Sequence, residues 1–217
     1  INSAAFAGAL LSTLLVFTLA RGTTERAPGR LLLTGVVVAA GWGATISLIL
    51  AMAPQQNLRG MLFWLMGDFA YASSAWPALA LALLTLLTGF FIAPRLNVLA
   101  TGEQQAAILG VAVKPLRTLL YFLSASLTAI AVTTAGTVGF VGLIVPHLVR
   151  LVTGSDHRYV LPGSALAGGC LVVIADTLAR TLVAPQQLPV GALTAMLGVP
   201  IFLLLLSRLG STGKTLG

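Results

Sequence analysis

The chain has 217 residues, 58% of them hydrophobic and only 8% charged. That is more apolar surface than one water-facing core could hide, so a soluble globular domain is excluded. A net charge of +7 would suggest nucleic acid in a soluble protein, but here the basic residues fall between long apolar runs, where membrane topology accounts for them and no nucleic-acid partner is implied.

Crossing the hydrocarbon layer takes about 20 apolar residues. The first such run is Ala4 to Ala20. It begins almost at Ile1 with no cleavable signal pattern before it, so the polypeptide reads as amino-terminally incomplete. A second run covers Leu31 to Ala53, and along it Gly35, Ala39, Gly43 and Ser47 recur on one helix face. Such a stripe allows close helix contact or leaves room for a passage, and packing is the commoner reason for one. Leu58 to Phe69 is apolar and aromatic but too short to cross, which predicts a re-entrant or interfacial half-helix. Within it, Asp68 is expected as an exposed carboxylate that either meets a cationic or metal-bearing ligand or caps a turn.

After a run from Trp76 to Ala93, the segment Thr101 to Arg117 has helix-forming sequence of its own, and Gly110 with Pro115 stops and turns a short amphipathic helix. A compact helical loop can fit a groove in a partner, and the small residues Ala106 and Ala107 let that partner approach closely. Further runs follow at Thr118 to Ala135, Gly139 to Val152, Tyr159 to Val183 and Leu188 to Ser207. The prediction is an all-α polytopic transmembrane bundle, a single domain over 1–217 with about seven spans and one partial helix.

The stretch Ala135 to Arg158, AGTVGFVGLIVPHLVRLVTGSDHR, combines Gly136, Gly139 and Gly142 with a Pro146-His147 pair. A lipid-facing helix has no need of these features, so this run is expected to pack against protein. His147 has no second ligand at metal spacing and reads as a packed or hydrogen-bonded histidine. Cys170 is the only cysteine, leaving neither an internal disulfide nor a cysteine-based metal site. Ser155, Asp156 and His157 carry the letters of a hydrolytic triad, but adjacent side chains diverge from one backbone, so they read as a cytoplasmic turn. Asp176 and Arg180, four apart near the outer end of their span, can pair and ease the cost of charge near lipid. Gly213-Lys214-Thr215 looks like the end of a phosphate loop, yet Arg208 stands where the earlier glycine belongs and no strand precedes it, so nucleotide binding is rejected.

Seven alternating spans place Arg21, Arg26, Arg30, Arg95, Lys114, Arg117, Arg150, Arg158, Arg208 and Lys214 on one side, and only Arg59 and Arg180 on the other. The first side is cytoplasmic by the positive-inside rule, as is the carboxyl terminus, and the half-helix lies outside. Arg180 and Arg59 are then outer cations able to meet an acidic protein surface.

Several segments carry a family resemblance beyond these physical readings: GRLLLTG at Gly29 to Gly35, FWLMG at Phe63 to Gly67, EQQAAILGV at Glu103 to Val111, the stretch from Ala135, IADTLAR at Ile174 to Arg180, and LPVGALTAMLGVPIFL at Leu188 to Leu203. In this order and spacing the chain resembles the FecCD permeases, the membrane subunits of ABC importers for iron-siderophores, haem and vitamin B12, over essentially all its length. The resemblance implies a type II ABC importer permease of the bacterial inner membrane, with roughly the first three of about ten spans missing. It implies a second permease subunit in a homodimer, two ATP-binding subunits, and a periplasmic binding protein delivering a metal chelate or cobalamin. By the same resemblance, 101–117 is the cytoplasmic coupling element, with Glu103, Ala106, Ala107 and Gly110 contacting the ATPase, while Gly35, Ala39, Gly43, Ser47, Trp64, Gly67 and Asp68 border the translocation path. ATP and Mg would sit on the partner, and this chain would hold no cofactor, metal or catalytic residue. Asp68 and Tyr71 depart from the small or hydroxyl residues of many relatives, which bears on the substrate. From the residues alone, a secondary transporter driven by an ion gradient is the alternative, although no carboxylate lies deep in a span to carry the ion.

Overall fold

A computed structural model describes residues 2–20, 28–71 and 75–212. Ile1, Arg21, Arg26 and Gly213-Lys214-Thr215 fall outside that set. The described residues form α1 (Asn2–Ala20), α2 (Pro28–Met52), α3 (Gln55–Leu65), a 3-10 turn (Phe69–Tyr71), α4 (Trp76–Leu99), α5 (Glu103–Ile108), α6 (Val113–Ala135), α7 (Val141–Thr153), α8 (His157–Thr181) and α9 (Val190–Thr212). No strand occurs among them, as the apolar runs without period-two alternation required.

Among the described residues, four segments are long and apolar enough to cross a membrane: Leu33–Met52, Trp76–Leu99, Val113–Ala135 and His157–Thr181. Ala4–Leu19, Val141–Thr153 and Val190–Leu205 are shorter apolar helices. The chain is a multi-pass membrane protein. Large apolar side chains face outward along it, Leu33, Val37, Leu48, Phe91 and Leu166 among them, a pattern that suits lipid or another subunit and would aggregate in water.

Two expectations change. The run read as a helix from Gly139 becomes α7, a helix of 13 residues, about 20 Å long and short of the roughly 30 Å hydrocarbon layer. Gly136 leaves α6 with φ 71° and Phe140 holds a left-handed φ of 66°, so Gly136 and Gly139 lie in an irregular connection and not in a helix. Backbone of this kind is tolerated at membrane depth only against protein. Conversely, α4 runs past Ala93 and through Pro94 to Leu99. An internal proline opposes a helix by about 3 kcal/mol, but here the last turn is held by packing of Ile92 and Leu96 on Leu116 of α6.

Lipid tails are as apolar as leucine, so helix association rests on close packing, and small residues fill the contacts. Buried Gly89 of α4 meets Leu161 of α8, while Gly163 and Gly168 of α8 meet Val149, Val141 and Val145 of α7. Gly198 of α9 receives Phe140 and Ile144. Ala125, Ala129, Ala175 and Ala179 are buried in α6 and α8. Phe17 of α1 packs on Tyr121 of α6, ring centroids 5.3 Å apart, and Trp42 Nε1 of α2 donates to Ser12 Oγ of α1 at 2.9 Å.

Candidate functional site

One end of the bundle gathers the carboxyl ends of α3, α6 and α8 with the start of α9. Three glycines meet there. Gly67 (φ 84°) follows α3, and Gly136 follows α6. A Cβ on Gly67 would lie 2.6 Å from the Thr137 carbonyl oxygen. One on Gly136 would collide with the Trp64 carbonyl, and one on Gly191 with the carbonyls of Met66 and Thr137. Backbone bonds seal the junction: Asp68 N–H donates to Ala135 O (2.9 Å), Val190 N–H to Gly67 O (3.0 Å) and Leu188 N–H to Ala179 O (3.0 Å). The Thr137 hydroxyl donates to the Leu65 carbonyl. The half-helix is thus anchored by its carboxyl end.

Asp68 is buried, with 5% exposure, and not the exposed carboxylate anticipated. Its Oδ1 accepts from Ala70 N–H at 2.8 Å and from Gln187 Nε2 at 2.9 Å, so it holds the turn after α3 and ties that turn to the α8–α9 connection. Trp64 stays part-exposed at 38%. Arg180 Nε donates to Asp176 Oδ2 at 2.9 Å, the pairing expected from their spacing, and the Arg180 side chain remains 44% exposed. Arg59 is exposed and lies over the Phe63 ring, 5.7 Å from its centroid.

Along α2, no residue between Leu33 and Met52 is buried. A Cβ on Gly35 or Gly43 would meet nothing within 4 Å, and Ser47 Oγ donates back to Gly43 O at 2.9 Å. Among the described residues, Gly35 and Gly43 therefore have no close packing neighbour. In a Cys170→Ser background, cysteines at 35, 39, 43 and 47 are expected to react with a membrane-impermeant thiol reagent, while cysteines replacing Val37 and Ile49 stay protected by lipid. Equal protection at all six positions in every transport state would leave only subunit packing.

The opposite end carries α5. Its six residues start after Gly102 and stop at Gly110, whose φ of 82° ends the helix where the sequence predicted. Ala106 is fully buried, whereas Glu103, Ala107 and Gly110 are exposed. Arg117 Nη1 bonds Glu103 Oε1 at 3.0 Å, bracing α5 against the start of α6. An open cavity of about 520 Å³ lies beside it, lined by Ile92, Arg95, Gly110, Pro115 and Leu119 among others.

At this end Asp156 caps α8, its Oδ1 accepting from Arg158 N–H at 2.9 Å. Asn97 of α4 donates to the same oxygen at 2.7 Å. The Arg158 amide first, and Asn97 second, hold the Asp156 carboxyl below its ordinary pKa. Asn97 Oδ1 in turn faces His157 N–H at 2.9 Å and His157 Nδ1 at 2.7 Å. The residues 155–157 form the turn that was expected; what the sequence did not reveal is its partner. His147 is half-buried on α7. No group of three or more metal-ligating side chains occurs among the described residues.

The FecCD transport family matches residues 1–208 of the sequence. The chain belongs to that family. It is 45% identical over 207 residues to the hemin transport system permease protein of Yersinia pestis, covering 94% of this chain and 61% of that protein. It is 42% identical over 210 residues to the cobalamin import system permease protein of Halobacterium salinarum, covering 95% and 56% respectively. Among solved structures, an inward-facing conformation of a metal-chelate type ABC transporter superposes with a TM-score of 0.77 at 35% identity, over 90% of this chain and 63% of the other. This FecCD-family chain thus spans about three fifths of the length of such relatives.

Sequence reasoning missed the junction roles of Gln187, Gly136 and Gly191, and the role of Asn97 at the opposite end. Only Gly136 had a local signal, as a glycine ending a helical run. The others depend on partners far along the chain.

Proposed function

We propose that this chain acts as the membrane permease of an ATP-driven importer of the bacterial inner membrane, carrying a metal chelate such as haem or a ferric siderophore, or cobalamin, from periplasm to cytoplasm. The observation that carries the reading is α5: a compact helix with its outer face exposed, braced to α6 by the Glu103–Arg117 ion pair at the basic end of the bundle, in a chain similar to transport permeases. Two ATP-binding subunits, holding ATP and Mg, would seat on Glu103, Ala107 and Gly110, with Ala106 supporting the helix from below. A second permease subunit would face the open stripe of α2, in a homodimer. The chain supplies no chemistry of its own, so the energy comes from its partner. The test is uptake by proteoliposomes holding the full-length permease with its ATP-binding subunits, assayed with haem, a ferric siderophore and cobalamin. Uptake that follows ATP supports the reading; uptake that follows an imposed ion gradient without ATP sinks it.

Arg180, with Arg59, would receive acidic residues of the periplasmic binding protein. A rim cation mainly accelerates encounter, and Asp176 holds the guanidinium in place. Arg180→Glu is expected to slow association by about tenfold and to weaken its salt dependence. Association rates unchanged across ionic strengths would reduce Arg180 to the partner of Asp176.

A further inference from the structure

Two helices at the cytoplasmic end are joined by a polar contact that no span-forming requirement explains. Asn97 sits in the last turn of α4, Asp156 and His157 at the start of α8, 59 and 60 residues away. Every group in the contact is matched: the Asn97 amide nitrogen donates to Asp156 Oδ1, and its oxygen receives the His157 N–H and faces His157 Nδ1. Elsewhere α4 and α8 meet through packing such as Gly89 on Leu161. Among the described residues no other hydrogen bond links them, and the hydroxyls of Thr85 on α4 and Ser164 on α8 are buried without partners. An interface of this kind can shear along its apolar length, and Asn97 is where it is pinned.

The pin lies beside α5. Only three residues separate α4 from α5, and they are tightly turned: Thr101 N–H donates to Val98 O and Gly102 N–H to Leu99 O. At its far end α8 carries Ala179, whose carbonyl accepts from Leu188 N–H, two residues before the Val190 N–H that bonds Gly67 at the end of the half-helix. A continuous physical connection therefore runs from α5 through Asn97 and α8 to the outer junction.

We propose that Asn97 is a positioning residue of the transport step: by holding the start of α8 to the end of α4, it makes a displacement of α5 move α8 and the outer junction with it. This rests on the ATP-driven import reading above. Full-length permease is assembled with its ATP-binding subunits in proteoliposomes, and ATP hydrolysis, uptake and the amount of complex are measured together. Asn97→Ala is expected to keep assembly and hydrolysis while uptake per ATP falls by about tenfold, as loss of hydrogen bonds to a charged partner would produce. Asn97→Asp sets two carboxylates against each other and should be at least as poor. Asn97→Asp combined with Asp156→Asn removes the facing carboxylates and lets the new amide on α8 donate to the new carboxylate on α4, at the cost of one of the two bonds that Asp156 Oδ1 accepts; uptake per ATP above that of Asn97→Asp is expected, which keeps the proposal testable even if a single variant fails to assemble. ATP-driven wild-type uptake with unchanged uptake per ATP in Asn97→Ala overturns the proposal alone. So does hydrolysis that falls in step with uptake and complex, which would make Asn97 a brace of the fold, or a double variant no better than Asn97→Asp. Wild-type uptake that ignores ATP overturns the import reading and this proposal with it.

Discussion

Gly191→Ala is expected to destabilise the protein by about 3 kcal/mol or more, as an overpacked backbone contact should. Its new Cβ would fall on the carbonyls of Met66 and Thr137, which are backbone atoms and cannot swing aside as a side-chain end would. Gly136→Ala is expected to be at least as damaging, because φ 71° adds conformational strain to the collision with the Trp64 carbonyl. Thermal or denaturant unfolding in detergent, followed by the monodisperse fraction, measures both. Gly142→Ala is the control: its Cβ would meet nothing within 4 Å, and replacing glycine inside a helix should be neutral or stabilising by up to about 1 kcal/mol. Equal stability of all three variants would mean that this glycine junction is looser than its backbone bonds imply.

The second large effect separates Ala106 from its neighbour. Ala107 is exposed on α5 and Ala106 fully buried beneath it. Ala107→Trp is expected to leave insertion and folding intact while ATP-driven uptake falls by tenfold or more, roughly what a bulky group in a close-packed protein contact causes. Ala106→Trp has no space under the helix and should lower the amount of folded permease itself. Both are read by the yield of monodisperse protein alongside uptake and ATP hydrolysis. An Ala107→Trp variant with wild-type uptake would remove α5 from the contact with the ATP-binding subunits.

Those two sets of variants act at opposite ends of the bundle and were differently visible in advance. The α5 helix could be read from its sequence, because a polar helix former between apolar runs, closed by a glycine, is specified within a few residues. The same holds for the Asp176–Arg180 pair, fixed by the helical repeat, and for the long runs that became α2, α4, α6 and α8. Their side assignment followed from the asymmetry of arginine and lysine between loops. Family resemblance added the expectation of a permease, and the match over residues 1–208 bears that out at the level of the family.

Hydropathy alone could not say which face of a helix packs. In lipid the outward face is as apolar as the inward one, so the alternation that marks a core in a soluble protein is absent. For that reason the run from Gly139 was read as a span, whereas the helix starts at Val141 after the left-handed Phe140 and covers 13 residues; the break after Ala135 was legible, but the carbonyls of the α3 turn pressing on Gly136 were not. Asp68 looked exposed because its partner Gln187 is 119 residues away. Asn97 drew no reading from the sequence, and only the fold sets it against Asp156 and His157. Composition and local spacing thus determined the membrane class, the helical elements and the position of α5. Tertiary structure alone decided where backbones approach closely enough to exclude a Cβ and which buried polar groups find each other, since both depend on segments that meet only after the spans have packed.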